Sequence, residues 1–284
     1  YNYDSYPAMA DSADATLTLQ NKDGTSYTID EPQASVTVVD YSTGQLTAMV
    51  GGRYSPYVMK AANRAWQTHM PVGSSIKPLA VYAPAIEKGL SPGSIIYNVP
   101  AAVTGWGTTR GYPNNYGGGS YTGPTTLRTG INRSLNIVSA RLLMDYVGVK
   151  PSAEYLAAMG IDSDAVNADG PGLALGTSGI STLELATAYG TFPNMGVYKE
   201  TVAFTTVYDA TGNLVINSSQ TQIIRTVFKK STAWLMNDML VDAVINGGGT
   251  RAKVEGITTA GKTGTNSDAR GVTFAGYTPY FSCA

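Results

Sequence analysis

Three short motifs, in a fixed order along the chain, carry the side chains that a serine acyl-transfer site needs. Ser74 and Lys77 come first, Ser134 and Asn136 follow, and Lys262 opens a final Lys-Thr-Gly-Thr run. A serine hydroxyl attacks a carbonyl only when a base takes its proton, and a lysine of lowered pKa can be that base. A Ser with a Lys three residues later is expected about once by chance here, so no motif decides alone. Their combination predicts a nucleophile, candidate bases and a cationic anchor.

The first pair lies at the predicted start of a helix. Ser74 and Lys77 are three residues apart, so their side chains project from one face of that helix. Burial and the positive charge of Lys262 would lower the pKa of Lys77. Backbone N–H groups at the helix start would stabilise a developing oxyanion. The alternative for this pair is a capped surface helix with a solvated lysine.

The second and third motifs also have two interpretations each. Ser134 and Asn136 are two residues apart and do not share a helix face, so a joint role requires a helix junction. A simple helix-cap pair is the alternative. Lys262 would attract a carboxylate, and Gly264, inside a β-rich run, marks a close approach by another backbone or a ligand. The edge of such a strand can bind an extended peptide, although a structural turn is the alternative.

Composition narrows the possible classes of function. The 284 residues are 43% hydrophobic and 14% charged, which describes a folded chain. The net charge of -1 argues against nucleic-acid binding. A single cysteine, Cys283, and a single histidine, His69, argue against a disulfide framework and against zinc or multi-histidine sites, so no metal or cofactor is expected. His69 precedes Ser74 by five residues, but a loop or core histidine is the favoured interpretation.

The coarse pattern predicts an α+β architecture with one sheet and a helical subdomain. Antiparallel strand pairs are predicted within residues 15–29, 36–50, 202–216 and 258–277, and the second of these is expected to be the central pair of the sheet. Helices are predicted at residues 74–88, 127–146 with an interruption near Ser134, 151–159 and 182–192, and after a cap at Ser231. The helix at residues 182–192 is expected to begin with a capping box formed by Ser181 and Glu184. Residues 91–124 are predicted to be a long loop.

The sequence around the motifs resembles the transpeptidase domains of penicillin-binding proteins. Residues 73–78 are similar to their nucleophile motif, and residues 112–116 and 123–128 to the segment that leads into their second motif. Further similarity follows at residues 173–196, 247–250, 261–265 and 274–279. The resemblance covers residues 34–281 and is greatest to class A, bifunctional, penicillin-binding proteins. It implies a glycosyltransferase domain and a membrane anchor before Tyr1, and action at the extracytoplasmic face of a bacterial cell membrane.

The resemblance also implies a domain organisation. Residues 1–33 would be a linker with a small β-hairpin, and residues 34–284 a C-terminally incomplete transpeptidase domain. The implied fold is the antiparallel sheet with a helical subdomain that penicillin-binding proteins and β-lactamases share. Its last strand pairs beside the first, and its final helix follows. We expect both to be truncated in this chain, which would leave unpaired backbone in the middle of the sheet.

The residue roles implied by the resemblance begin with the nucleophile. Ser74 would attack the D-Ala-D-Ala carbonyl of a peptidoglycan stem peptide and form an acyl-enzyme, with Lys77 as the base. Ser134 would relay a proton to the leaving D-Ala. Asn136 would hold Lys77 and the substrate amide. An amine from a neighbouring strand would then accept the acyl group, and β-lactam antibiotics would acylate Ser74 as substrate mimics.

The third motif would bind the substrate. Lys262, Thr263, Gly264 and Thr265 would contact the terminal carboxylate region, and the backbone N–H groups of Ser74 and Thr265 would form the oxyanion hole. The residue after this motif is Asn266, where the family often has threonine or serine, and this departure implies an altered acceptor or antibiotic preference.

Three alternatives stay open at this point. A class A β-lactamase needs a Glu-x-x-Leu-Asn loop between the second and third motifs, and no such string occurs there. A D,D-carboxypeptidase differs only in using water as the acyl acceptor. From another class, the chain could be a non-catalytic module that binds penicillin or peptidoglycan, although the intact Ser74, Lys77 and Lys262 argue against this.

Overall fold

A computed structural model describes residues 16–20, 24–30, 33–53, 62–100, 113–116, 121–266 and 271–284. Within these ranges the strands are β1 (Thr16–Gln20), β2 (Ser26–Asp30), β3 (Val36–Asp40), β4 (Gln45–Val50), β5 (Met70–Pro71), β6 (Ile95–Asn98), β7 (Gly123–Thr126), β8 (Gly179–Ile180), β9 (Val197–Lys199), β10 (Thr206–Tyr208), β11 (Leu214–Asn217), β12 (Ile224–Thr226), β13 (Ala260–Thr265), β14 (Val272–Tyr277) and β15 (Ser282–Cys283). The α-helices are α1 (Arg64–Gln67), α2 (Ala83–Glu87), α3 (Leu127–Asn132), α4 (Asn136–Arg141), α5 (Val149–Ala158), α6 (Thr182–Tyr189), α7 (Ser218–Thr221) and α8 (Lys230–Ile245).

A five-stranded antiparallel sheet joins the two ends of the chain, in the order β13-β14-β15-β3-β4. The predicted α+β architecture is therefore confirmed, as are all four predicted antiparallel pairs. The prediction that β3 and β4 form the centre of the sheet is wrong. β4 is an edge strand, and β3 has neighbours on both sides. The dense β-branched residues of β3 reflect burial under α6, where the Thr37 and Thr182 hydroxyls lie 3.2 Å apart.

The C-terminal residues enter the sheet where unpaired backbone is predicted. In β15, Ser282 pairs with Val39 of β3 on one side and with Tyr277 of β14 on the other. Ala284 then exchanges two backbone hydrogen bonds with Thr37, of 2.9 and 3.1 Å. The expectation that β3 has no partner here is corrected. β15 is short, however, and pairs with β14 only at Gly276 and Tyr277 among the described residues.

The core lies between the sheet and the helices, around the segment that follows Ser74. Ile76 and Leu79 from this segment are fully buried, together with Leu127, Ile131 and Leu142 of the second helical region. The segment is less regular than the single predicted helix. It begins with a 3₁₀ turn at Gly73–Ile76, continues as a π-helical turn at Pro78–Tyr82, and becomes α-helical in α2. Its two prolines, one at the start of each later part, lack the N–H that a continuous helix requires.

Other local predictions divide into confirmed and corrected ones. The interruption near Ser134, the helix ending before Gly160 and the Ser181–Glu184 capping box are confirmed. Residues 91–124 are not wholly loop, because β6 and β7 pair within them and Ile96 is buried. Ser231 is not the cap of α8.

The start of α8 is fixed by a tertiary contact. The helix begins one residue before Ser231, and its N-cap, Lys229, has no side-chain capping bond. The backbone N–H of Lys229 instead donates to the carboxylate of Glu87, at 3.0 Å. A carboxylate at the N-terminus of a helix is favourable, so Glu87 replaces the predicted serine.

Two glycines allow the 3₁₀ turn to lie directly against β13. A methyl group on Gly264 would lie 2.0 Å from the carbonyl oxygen of Val72, and one on Gly73 would lie 2.4 Å from that of Thr265. Real Cβ atoms do not approach backbone this closely. Gly73 also has a positive φ of 56°, which other residues adopt at a cost. The first and third motifs are therefore held together by backbone contact.

We predict that Gly264→Ala lowers the free energy of unfolding by about 1–3 kcal/mol or more, because the added methyl group forces β13 away from the 3₁₀ turn. Urea unfolding, followed by circular dichroism, measures the effect. Gly93→Ala is the matched control, since its new methyl group would find its nearest neighbour at 3.8 Å. Equal stability of the two variants would contradict the inferred contact.

Candidate active site

Lys77 is the point at which the first and second motifs meet. Its side chain is fully buried. Its Nζ donates to Asn136 Oδ1 at 2.7 Å, to the main-chain oxygen of Ser134 at 2.9 Å and to Ser134 Oγ at 3.4 Å. Three oxygen atoms from one helix junction therefore hold the amine of a residue 57 or more positions away in sequence.

Burial lowers the pKa of Lys77 well below its usual value, and the positive charge of Lys262 lowers this pKa further. Both effects disfavour the ammonium form. The neutral form of the amine has a lone pair that can accept a proton, and its two hydrogens can serve two of the three surrounding oxygens. A buried neutral lysine held in one position can accept a proton from a nearby hydroxyl.

The helix junction at Ser134 explains how two residues that are two positions apart act together. Helix α3 is capped by Thr126 and ends at Asn132, and α4 begins at Asn136. Between them Ser134 adopts a φ of 54°, which is uncommon for a residue other than glycine. This conformation directs both the main-chain oxygen and the hydroxyl of Ser134 toward Lys77. Strained backbone of this kind is concentrated at functional sites.

Ser74 lies in the 3₁₀ turn and is half-buried, whereas the adjacent Ser75 is fully buried. The Ser75 hydroxyl donates its hydrogen to the main-chain oxygen of Val72 at 2.8 Å, so it has a structural hydrogen bond within the turn. Tyr189, in α6, donates its hydroxyl to the main-chain oxygen of Ser75 at 2.5 Å. This turn is thus anchored on its inner side, and Ser74 is the serine that remains accessible.

The third motif lies on β13, which is an edge strand of the sheet among the described strands. Lys262 is buried, and burial lowers its pKa to about 8. Its Nζ donates to the main-chain oxygen of Thr263 at 3.0 Å. Thr263 is half-buried and Thr265 is exposed. An edge strand offers unpaired N–H and C=O groups, so β13 can pair with an extended peptide.

The predicted oxyanion-hole residues are neighbours. The backbone of Thr265 lies so close to Gly73 that its nitrogen would be 2.8 Å from a methyl group placed there. Ser74 follows Gly73 directly, so the N–H groups of Ser74 and Thr265 come from two segments in contact. Both residues that sequence analysis named for this hole therefore lie at the contact between the 3₁₀ turn and β13.

Three asparagines that lie outside the three motifs form hydrogen bonds that hold Asn136 in place. Sequence analysis did not predict these contacts. Asn136 Nδ2 donates to the main-chain oxygen of Asn114 at 2.9 Å, and the Asn136 N–H donates to Asn115 Oδ1 at 2.9 Å. Asn115 in turn donates to Asn98 Oδ1 at 2.9 Å. The one available signal was the adjacent asparagine pair before Tyr116, inside a region that was assigned to a loop.

Two other serine-hydrolase patterns are not supported by the structure. His69 Nε2 lies 3.4 Å from a carboxylate oxygen of Glu184, the capping residue of α6, rather than in a hydrogen bond with Ser74. A G-x-S-x-G string at residues 89–93 contains Ser91, but it connects α2 to β6. A nucleophile elbow requires the reverse order, a strand followed by a helix. Neither residue belongs with the three motifs.

Other features of the described residues do not add to the site. A cavity of about 250 Å³ is lined by residues at the opposite end of β13 and β14, including Trp234, Ala260 and Tyr277, and by none of the motif residues. Across the described ranges, no group of three or more His, Cys, Asp and Glu side chains is placed to hold a metal ion. Nor does any helix in these ranges have the length and apolar character needed to cross a membrane.

Comparison with known proteins gives a consistent result. Residues 34–282 match the family described as penicillin binding protein transpeptidase domain. The chain is 36% identical over 268 residues to penicillin-binding protein 1A of Clostridium acetobutylicum, covering 89% of this chain and 32% of that protein. For the protein of the same name from Clostridium perfringens strain 13, identity is 35% over 278 residues, with coverage of 93% and 40%.

A solved structure agrees with these relatives. The crystal structure of penicillin-binding protein 1A from Haemophilus influenzae superimposes with a TM-score of 0.77 at 26% sequence identity, covering 94% of this chain and 45% of that chain. The chain thus spans between about a third and two fifths of the length of the curated relatives named above.

We predict that stability depends on pH through Lys262. Its pKa of about 8 in the folded state lies below the value of about 10.4 expected in the unfolded chain, so the unfolded state binds more protons between these values. Stability contributed by this group therefore rises with pH in that window. Relative to Lys262→Met, the wild type should gain about 2.5 kcal/mol in free energy of unfolding between pH 8 and 10.5.

Urea unfolding at several pH values measures this difference. Lys253→Met, which removes an exposed lysine, is the matched control for loss of a charge. A wild-type advantage that stays constant over the window would contradict the inferred effect of burial on Lys262.

Proposed function

The chain belongs to the penicillin-binding protein transpeptidase family, and from that premise we propose that it is a serine D,D-transpeptidase. It cross-links peptidoglycan stem peptides through an acyl-enzyme, and β-lactams inhibit it by acylating the same serine. The observation that carries the proposal is the buried Lys77 amine, which is hydrogen-bonded to Ser134 and Asn136 and lies one helical turn after the half-buried Ser74.

Acylation begins with proton transfer from the Ser74 hydroxyl to the neutral Lys77 amine. The serine oxygen forms a bond to the carbonyl carbon of the penultimate D-Ala, and the carbonyl oxygen becomes an oxyanion. The backbone N–H groups of Ser74 and Thr265 stabilise it. The peptide C–N bond then breaks, and Ser134, with its Oγ 3.4 Å from Lys77 Nζ, relays a proton to the departing D-Ala amine.

Substrate recognition uses the edge of β13. The stem peptide pairs with this strand by β-augmentation, and the positive charge of Lys262 binds its terminal carboxylate, with hydroxyl contacts from Thr263 and Thr265. Asn136 can offer the substrate fewer hydrogen bonds than a free amide could, because most of its polar atoms already have partners. Its Oδ1 is occupied by Lys77 and one hydrogen of its Nδ2 by Asn114, so only the second amide hydrogen is available to the substrate.

The acceptor decides between the remaining functions. An amine from a second stem peptide attacks the acyl-enzyme and forms the cross-link, whereas attack by water would make the protein a carboxypeptidase or a β-lactamase. We also propose an upstream glycosyltransferase domain and membrane anchor, and action at the extracytoplasmic face of the membrane. The support for these is the coverage of the curated relatives, which extend well beyond the matched region.

We predict that a fluorescent penicillin labels the wild type and that Ser74→Ala abolishes the label, because Ser74 is the accessible serine of the 3₁₀ turn and lies one helical turn before Lys77. Gel fluorescence after denaturation measures the covalent adduct. Ser75→Ala is the matched control, since it removes the neighbouring hydroxyl and its bond to Val72 at a cost of about 1 kcal/mol in stability. This control should still be labelled.

The lifetime of the label separates the alternatives. Label that persists for many minutes supports a transpeptidase, and rapid turnover would instead indicate a β-lactamase. Label on Ser74→Ala, or none on a folded wild type, would sink the proposal; the second outcome would favour a non-catalytic binding module. The products formed from a stem peptide with an added amine acceptor distinguish the two reactions: cross-linking gives the acceptor adduct, whereas hydrolysis gives the shortened peptide acid.

We predict a bell-shaped pH profile for the second-order rate constant of acylation by penicillin. The rate rises with pH as Lys77 loses its proton, because the pKa of Lys77 is lowered and only its neutral amine is a base. The rate falls above about pH 8, since the pKa of Lys262 is about 8 and its neutral form no longer attracts the carboxylate. Lys262→Arg keeps its charge over this range, so it should lose the falling limb while retaining the rising one. An unchanged falling limb in Lys262→Arg would contradict this assignment.

A further inference from the structure

Helix α4, which begins with Asn136, lacks a cap from its own segment. Its N-cap residue is Leu135, which has no side-chain acceptor for the first N–H groups of the helix. Asn115, 20 residues before Leu135, supplies the acceptor. Its Oδ1 receives hydrogen bonds from the N–H groups of Asn136, at 2.9 Å, and Ile137, at 3.3 Å. Unfilled N–H groups at a helix start normally require such a partner.

The orientation of Asn115 is determined by its other contacts. The side chain is 6% exposed, and its Nδ2 donates to Oδ1 of Asn98, which is fully buried on β6. Asn98 donates in turn to the hydroxyl of Thr122, at 3.0 Å. With its nitrogen directed to Asn98, the Asn115 oxygen can only face α4. The strand pair β6–β7 therefore holds the start of α4 through a chain of side-chain amides.

The same dipeptide also sets the orientation of the Asn136 side chain. The main-chain oxygen of Asn114 accepts from Asn136 Nδ2 at 2.9 Å, which leaves Oδ1 to face Lys77 Nζ at 2.7 Å. A flipped amide would place Oδ1 against the main-chain oxygen of Asn114, two acceptors facing each other. Asn114 and Asn115 thus act on both the backbone and the side chain of Asn136.

We propose that Asn115 is a positioning residue for acylation, which holds the α4 start so that Asn136 Oδ1 keeps the Lys77 amine in place to take the Ser74 proton. This inference rests on the proposed function of the same site. Misplacement of a catalytic group by about 1 Å can cost about a hundredfold in rate, so a distant cap can have a large effect on chemistry. Asn115 itself touches none of the reacting atoms.

The test compares acylation rates of folded variants with a fluorescent penicillin. Asn115→Leu preserves the shape but removes the acceptor and the donor, and it should lower the second-order acylation rate constant about tenfold to a hundredfold. Asn115→Asp keeps the acceptor for both N–H groups, so it should lose less. Its carboxylate should also move the rising limb of the pH profile to higher pH, by favouring the charged form of Lys77.

A matched control separates positioning from general stability. Asn217→Leu removes another capping asparagine, whose Oδ1 accepts from the N–H of Ser219 at 3.2 Å at the start of α7, outside the motif network. It should unfold at a lower temperature without slowing acylation. A double-mutant cycle adds the decisive comparison: in an Asn136→Ala background, Asn115→Leu should cost less than about twofold more, because Asn115 acts through Asn136.

Two results would overturn the inference. One is an acylation rate constant in folded Asn115→Leu equal to that of the wild type. The other is a double mutant whose loss in rate constant equals the product of the two single losses. Amide hydrogen exchange at Asn136 and Ile137 gives a readout that is independent of activity, and it should accelerate in Asn115→Leu but not in Asn217→Leu. A wild type that takes no label would overturn the proposed function instead, while the exchange data would still show whether Asn115 holds α4.

Discussion

The burial of the Lys77 amine is the constraint on which the rest of the structure depends. A charged lysine in an apolar interior is costly, so burial lowers the pKa of Lys77 and favours the neutral amine. A neutral amine still needs hydrogen-bond partners, and the junction between α3 and α4 supplies them through Ser134 and Asn136. The positive φ of Ser134 is retained because it directs those partners inward. The same burial that requires these hydrogen-bond partners also favours the neutral amine that the proposed mechanism uses as its base.

The second requirement is that the sheet approach the nucleophile closely. The first and third motifs are almost 190 positions apart, and they meet because the 3₁₀ turn that carries Ser74 packs directly against β13. Contact then depends on the absence of side chains, since any Cβ at Gly73 or Gly264 would collide with backbone. Gly264 of the Lys-Thr-Gly-Thr run is therefore required for close packing against the 3₁₀ turn, in addition to its proposed contact with the substrate. Lys262 reaches the site through that contact, and its charge reinforces the effect of burial on Lys77.

Sequence analysis predicted the parts of the site that rest on local rules. The helix break at Ser134 followed from the two-residue spacing of Ser134 and Asn136, and the α6 capping box followed from its short pattern. What it missed depends on tertiary contact. Glu87 fixes the start of α8 from another helix, and Asn115 caps α4 from a segment that reads as loop. Strand β6 was not predicted because the residues that flank it in the sequence are rich in glycine, proline and asparagine, which favour loops. A single sequence contains no distances between such segments, so these partners become visible only in three dimensions.

In the proposed mechanism the two lysines of the site need opposite charge states, although the same physical effect, burial, acts on both. Burial lowers the pKa of each, yet that mechanism requires a neutral Lys77 to accept a proton and a charged Lys262 to attract a carboxylate. The difference arises from their unequal environments. Lys77 is wholly enclosed and also feels the charge of Lys262, whereas Lys262 is slightly less buried and keeps a pKa of about 8. Since two nearby positive charges repel, retention of the proton by Lys262 itself helps remove the proton from Lys77. The charge of Lys262 and the pKa of Lys77 are therefore coupled. Without Lys262, the pKa of Lys77 would be lowered less.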